Sequence, residues 1–200
     1  MLPTREEAEQ LLAWAHEQNP GPWADHSRVV GRVAETIARQ SKLDPQRAYL
    51  SGLLHDIGRY EGVRGLHHIY AGYDLLNKKG FEEIATICLS HSFPYQCLGA
   101  YSGGDYDCSE AEMAVITSFL EKSEYNDYDK LIQLCDAMGM AEGVCMMEKR
   151  LVDATRRHGF NELTLKKWDS FFELKAYFDK LCNTNIYDLF YDEIRDVSFR

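Results

Sequence analysis

Leu53-Leu54-His55-Asp56-Ile57-Gly58-Arg59 is an apolar run that sets a histidine and an aspartate side by side and then stops at glycine. Burying an ionised carboxylate costs several kcal/mol even after relaxation, and a metal ion is one of the few partners that offsets it. The pair therefore points to a metal. Upstream, Asp44-Pro45 supplies an N-cap followed by proline at the first helical position, opening a helix through Leu50, Leu53, Leu54 and Ile57 to its stop at Gly58. His55 and Asp56 are expected in its last turn.

Toward the N-terminus, Ala8, Leu11, Leu12 and Ala15 recur at helical spacing over residues 4 to about 18, and Thr4 with Glu7 has the form of a capping box. Asn19-Pro20-Gly21-Pro22 breaks this helix, and the next carries His26, Val29, Val30, Val33 and Ile37 on one face. His26 then points inward. Beyond Gly58, a helix sets Ala71, Gly72, Leu75 and Leu76 on the face of His68, while His67 projects toward Tyr70 and Asp74. After Gly80, Ile84, Ile87 and Cys88 share the face of His91. Residues 92 to 108 show no sustained period and are rich in Tyr, Gly and Asp, which reads as a long loop. Ser109 and Glu112 form a second capping box for a helix to about Leu120. A helix from Asn126 or Asp127 places Ile132, Cys135, Asp136, Gly139 and Met140 on one face, so Asp136 is a carboxylate on an apolar stripe. Two more helices are expected at about 142–158 and 162–182, and the aromatic segment Ile186 to Ile194 packs back. No run alternates strongly enough for a strand. The expected fold is all-α, a compact multi-helix bundle forming one domain over residues 1–200, with the site between helices.

A net charge of -10 argues against a surface that follows a nucleic-acid backbone, whose affinity comes from clustered Lys and Arg. A small anion in a locally basic pocket remains compatible with it. The opening Met1-Leu2-Pro3-Thr4-Arg5-Glu6-Glu7 lacks the charged-then-apolar order of a signal peptide, and no run approaches the roughly 20 apolar residues that span a bilayer. A cytoplasmic location without membrane attachment is expected. The six cysteines include no C-x-x-C pair and several lie within apolar helical patterns, as reduced thiols do.

Taken singly, a histidine on a helical core face is more often a packing residue than a ligand. Taken together, His26, His55, Asp56, His68, His91 and Asp136 lie on five separate expected helices, each aiming an imidazole or carboxylate inward. One polar centre between helices explains that shared orientation, and scattered structural histidines do not. His16 and His158 fit a packing or helix-end role better. Adjacent helical residues point about 100° apart, yet a long imidazole and a short carboxylate can converge near a helix end, leaving the second carboxylate oxygen to bridge a second ion. Arg59, four residues beyond His55, falls on the same side, where its guanidinium could hold a phosphate oxygen; a solvated helix-end arginine is the competing reading. Gly52 lacks a side chain and permits close approach of a helix or substrate.

A lone His26, then His55-Asp56 within Leu-Leu-His-Asp-Ile-Gly, then a distant Asp136, resembles the HD-domain superfamily of metal-dependent phosphohydrolases. His68 and His91 resemble the two additional histidines of its dinuclear branch. The resemblance covers residues 22 to 140. It implies hydrolysis of a phosphate ester in a nucleotide or other small phosphorylated metabolite by metal-activated water, with Asp56 and Arg59 in the catalytic machinery and Arg59 contacting substrate. It also implies a divalent transition metal, two ions rather than one, and mixed His and Asp ligation suits Fe, Mn, Ni, Co or Zn better than Mg. Expected partners are the small substrate, with a second copy of the chain possible and no nucleic-acid polymer. Two positions depart from many relatives: Arg59 stands where lysine is common, and His91-Ser92 where a double histidine is common. The competing functions are a diiron oxygenase of the same ligand set and a non-catalytic nucleotide sensor.

Overall fold

A computed structural model describes residues 1–101 and 103–198. Among the described residues ten α-helices carry the fold: α1 (Arg5–Gln18), α2 (Trp23–Ser41), α3 (Pro45–Leu54), α4 (His67–Lys78), α5 (Glu82–Ser90), α6 (Glu110–Lys122), α7 (Asp127–Met138), α8 (Met147–His158), α9 (Thr164–Cys182) and α10 (Tyr191–Ser198). Helix starts follow local chemistry. Thr4 and Ser109 form capping boxes with Glu7 and Glu112, and the Asp44 carboxylate accepts from the Gln46 and Arg47 amides ahead of Pro45.

Helices α2 and α3 form the centre, and their backbones all but touch. A Cβ placed at Gly52 would stand 2.7 Å from Gly31 Cα, so Gly52 admits no side chain at this crossing, and a Cβ at Gly31 would press against Tyr49 O at 3.0 Å. On one side, α1, α4 and α5 close over α3 through Leu12, Leu50, Leu53, Leu54 and Ile84. On the other, α7, α9 and the C-terminal segment close over α2 through Ile37, Leu131, Ile132, Phe178, Ile186 and Ile194. A third cluster, including Ile69, Leu89, Phe93 and Ile116, seats α6 against α4 and α5.

Three boundaries differ from the sequence expectation. First, α3 ends at Leu54, and a 3-10 turn over Ile57–Glu61 follows, so His55 and Asp56 occupy the junction instead of the last helical turn. Asp56 sits at φ -106°, ψ 14°, where the chain leaves α geometry. Second, α7 stops at Met138, and Gly139 and Met140 do not continue its face: Gly139–Met140 (β1) pairs antiparallel with Gly143–Val144 (β2). The hairpin turns through Ala141 and Glu142 into Gly143 at φ +140°, and it is held by the Glu193 carboxylate of α10, which accepts from the Val144 amide at 3.0 Å and from Arg32 at 2.6 Å. A two-residue ladder is too short to leave an alternating pattern. Third, α8 begins at Met147 and not near 142, because β2 uses the intervening residues.

The loop over 92–108 contains a 3-10 turn at Leu98–Ala100 and is tied to α4. Its Asp107 carboxylate accepts from the Gly65 and His67 amides at 3.0 and 2.9 Å, and Asp105 O accepts from the Leu66 amide at 2.8 Å. All six cysteines are free thiols. Among the described residues no helix is long and apolar enough to cross a membrane.

Candidate metal centre

His26 comes from α2, His55 and Asp56 from the junction after α3, His68 from the first turn of α4, His91 from the C-cap of α5 and Asp136 from the last turn of α7. All six meet in one place. Three sets of these residues bring ligand atoms within 4.8 Å of one another: His26 with His55 and Asp56, His55 with His91 and Asp136, and Asp56 with His68 and His91. Neighbouring imidazole centroids stand 5.3 Å (His26–His55), 5.0 Å (His55–His91) and 5.5 Å (His68–His91) apart.

Gly58 permits this meeting. A Cβ there would collide with the carbonyl of His68 and the amide of Gly72, so only glycine lets the 3-10 turn lie flat against α4 and bring Asp56 to His68.

Backbone carbonyls set the tautomers. His55 Nδ1 lies 2.7 Å from Gly52 O, His91 Nδ1 lies 2.9 Å from Cys88 O, and His68 Nδ1 contacts Gly65 O. A carbonyl only accepts, so each Nδ1 carries the proton and each Nε2 presents a lone pair to the centre. Those lone pairs face carboxylate oxygens. His68 Nε2 is 3.2 Å and His91 Nε2 3.5 Å from Asp56 Oδ1, and His55 Nε2 is 3.8 Å from Asp136 Oδ1, which also lies within hydrogen-bond distance of His26 Nε2 at 3.0 Å. His55 Nε2, His68 Nε2 and Asp56 Oδ1 are buried and have no hydrogen-bond partner among the described residues. Lone pairs aimed at carboxylates repel unless a cation lies between them, so this donor set fits metal ions.

Electrostatics keeps the donors in their ligand forms. Burial pushes the His55 imidazole down to about 4 and lowers that of His68, leaving both neutral at pH 7. Burial alone would raise Asp56, but Arg59 and the neighbouring histidines outweigh it and hold the carboxyl well below its ordinary range. Asp136 is likewise lowered against its burial, chiefly by His26 and His55.

Arg59 is not a solvated helix end. Its Nε–H donates to Asp56 Oδ2 at 2.5 Å, its backbone carbonyl accepts from Asn19 Nδ2 at 2.7 Å, and it lines a cavity of about 530 Å³ whose floor includes His26, Asp56, His68, His91 and Asp136. Ser92 also lines the cavity. Tyr101 does too, with a buried hydroxyl that lacks a hydrogen-bond partner among the described residues. Tyr95 faces away, under Lys166, and Tyr106 donates to Leu98 O. His67 does not turn to Asp74; its Nε2 pairs with Glu61 at 2.8 Å and its Nδ1 lies 3.5 Å from Glu112.

The residues that sequence reasoning missed lie beyond Ala141. Arg150, Ala154, Arg157 and His158 of α8, with Lys167 and Phe171 of α9, complete the cavity wall. His158, expected at a plain helix end, is part of that wall. The available signal was three basic or His positions on one α8 face, at i, i+7 and i+8, in an acidic chain.

A helical bundle that converges four imidazoles and two carboxylates on a basic cavity defines an all-α protein with a candidate metal centre. The family model of the HD domain matches residues 23–141, more than half of the chain, and the chain belongs to that family. No curated protein and no solved structure gives a significant match. The family is one of metal-dependent phosphohydrolases that bind divalent ions, and it also includes members in other roles.

Proposed function

We propose that this chain is a metal-dependent phosphohydrolase acting on a phosphate ester of a nucleotide or another small phosphorylated metabolite. The observation that supports this reading most is the set of unpartnered Nε2 and carboxylate atoms buried beside Arg59 at the foot of a basic cavity. In this reading His26, His55, Asp56 and Asp136 would hold one ion, and His68 and His91, again with Asp56, would hold a second. Bound divalent ions supply Lewis acidity, lowering the pKa of a coordinated water from 15.7 to about 7 and neutralising phosphoryl charge.

The chain's own groups do the rest. Arg59 holds Asp56 through one oxygen, which turns the other toward His68 and His91, and its charge attracts the phosphate to the cavity floor. The Nδ1 contacts to Gly52, Gly65 and Cys88 fix the imidazole planes so that no reorientation is needed on binding. The Tyr101 hydroxyl, raised above its ordinary value by burial, stays protonated and can donate to a phosphate oxygen. A free small molecule as substrate suits a chain of net charge -10 whose basic groups gather in one cavity.

The test is phosphate release from a panel of nucleotides and phosphomonoesters by chelator-stripped protein reloaded with Mn, Fe, Co, Ni or Zn, in air and anaerobically. Metal-dependent release that persists without oxygen is expected. Turnover that stops when oxygen is removed would instead identify a diiron oxygenase, and nucleotide binding without turnover would identify a sensor.

A further inference from the structure

We propose a second cation site outside the candidate metal centre, built by His67, Cys108 and Glu112 and taking one thiophilic divalent ion of the Zn²⁺ class. It shares no residue with the six candidate ligands and does not depend on the phosphohydrolase reading.

Three stretches of chain supply it. His67 opens α4, Cys108 closes the loop over 92–108, and Glu112 stands in the first turn of α6. Asp107 brings them together: its carboxylate accepts from the Gly65 and His67 amides at 3.0 and 2.9 Å, which lays the end of the loop on the start of α4. Ser109 then caps α6, and its backbone N–H donates to the Glu112 carboxylate at 2.7 Å, holding that side chain back toward the loop. Imidazole, thiol and carboxylate thereby each present one ligand atom, all within 4.8 Å of one another.

The His67 ring is held as a ligand would be. Its Nε2 lies 2.8 Å from Glu61 Oε2. A carboxylate only accepts, so Nε2 carries the proton and the neutral ring keeps its Nδ1 lone pair. A carboxylate behind one ring nitrogen is the support that metal-bound histidines use. In front, Nδ1 lies 3.5 Å from Glu112 Oε2. That is longer than an ordinary hydrogen bond of about 2.7–3.2 Å. It matches the separation of about 3.4 Å that a tetrahedral ion imposes on nitrogen and oxygen ligands bound at roughly 2.1 Å. An imidazolium between Glu61 and Glu112 is the competing arrangement, and it makes no use of the thiol. Burial and the charges of Glu112 and Asp107 push the Cys108 thiol up to about 11, so an arriving ion forms its bond to sulfur by displacing that proton to solvent. One nitrogen, one sulfur and one oxygen suit Zn²⁺ or Co²⁺ and not Mg²⁺, and a water completes the four positions. An ion here ties the start of α4 to the start of α6 through the loop that carries Tyr101 to the cavity wall.

The test is a Co²⁺ titration of the whole chain under reducing conditions, read by absorption. The six candidate ligands contain no sulfur, so a near-ultraviolet thiolate-to-cobalt charge-transfer band does not arise from them. The band should grow with Co²⁺ and disappear when Zn²⁺ displaces it. Cys108→Ser should abolish it, Cys97→Ser, which removes the exposed thiol, should leave it, and His67→Ala should weaken the apparent Kd by about tenfold or more. No band in wild type, or an equal band in Cys108→Ser, would overturn the site. If Cys108→Ser loses its helical circular dichroism, His67→Ala decides, because that variant keeps the thiol: an unchanged Kd overturns the site and a weaker one supports it. Phosphate release reads the phosphohydrolase proposal separately, so either can fail alone.

Discussion

At the scale of single residues, the three backbone-locked imidazoles explain most of the site. Each of His55, His68 and His91 spends its Nδ1 proton on a carbonyl three residues earlier in the chain, so its orientation belongs to its own helix end and does not wait for a ligand. Arg59 is the residue whose meaning the structure changed most. Its Nε–H is committed to Asp56, which makes it a positioning group for that carboxylate, beside the substrate contact that the proposed function assigns to it. Arg59→Ala should raise KM for a phosphate ester about tenfold or more, the scale of a lost charge-assisted bond, and weaken metal affinity by about 10- to 100-fold, the usual cost of losing a group that orients a ligand. Steady-state kinetics beside a metal titration checks both. Unchanged values would return Arg59 to the surface-cap reading. The convergence of the six candidate ligands was legible in the sequence because each polar group interrupts an apolar stripe, an arrangement that costs energy unless something binds it. The unpartnered Tyr101 hydroxyl was not legible, because it lies in a loop without a period and its burial comes from contacts such as that with Phe93, seen only in three dimensions.

At the scale of elements, two close approaches place the ligands, and both depend on glycine. Gly52→Ala would force α3 away from Gly31 of α2 and should destabilise the fold by about 1–3 kcal/mol, the range for overpacking a tight core. Urea unfolding measures this, and an unchanged midpoint would mean that the crossing has slack. The clamp between α1 and α2 has a different origin. Glu35 accepts from Arg39 at 2.6 Å and from Arg5 at 3.1 Å, and although burial opposes it, these two cations hold the carboxyl below its ordinary value. A depressed acid contributes stability that is present above the unfolded value and is lost as pH falls through the folded one. Glu35→Gln should therefore lower Tm at pH 7 by about 2–4 °C, roughly the effect of 1 kcal/mol at this chain length, with the gap closing as pH falls below the ordinary carboxylate range. A gap that stays constant with pH would show that the effect is not electrostatic. Helix starts were legible from Thr4, Asp44 and Ser109, whose side chains satisfy amides within the next few residues. Two helix ends were not. The apolar pattern runs on through Ile57 and Met140, but the backbone has already left α geometry at Asp56 and Gly139, in one case against α4 and in the other to form the hairpin that α10 holds.

At the scale of the whole molecule, the family match and the cavity divide the chain differently. Residues 23–141 carry the family match and all six candidate ligands, whereas α8 and α9, outside it, supply Arg150, Arg157, His158, Lys167 and Phe171 to the wall above them. The C-terminal part was read from sequence as an amphipathic addition because periodicity identifies the buried face of a helix without saying what the other face looks onto. The basic face of α8 looks onto the candidate metal centre. That arrangement makes ion binding the premise of everything else, and elemental analysis of the protein reconstituted with Mn, Fe, Co, Ni or Zn, with Asp56→Ala treated in parallel, tests it most directly. Two ions more per wild-type chain than per chain of Asp56→Ala, with helical circular dichroism retained in the variant, is the predicted result. Wild-type protein that binds none of these ions, or an Asp56→Ala variant that binds them as well as wild type, would contradict the account.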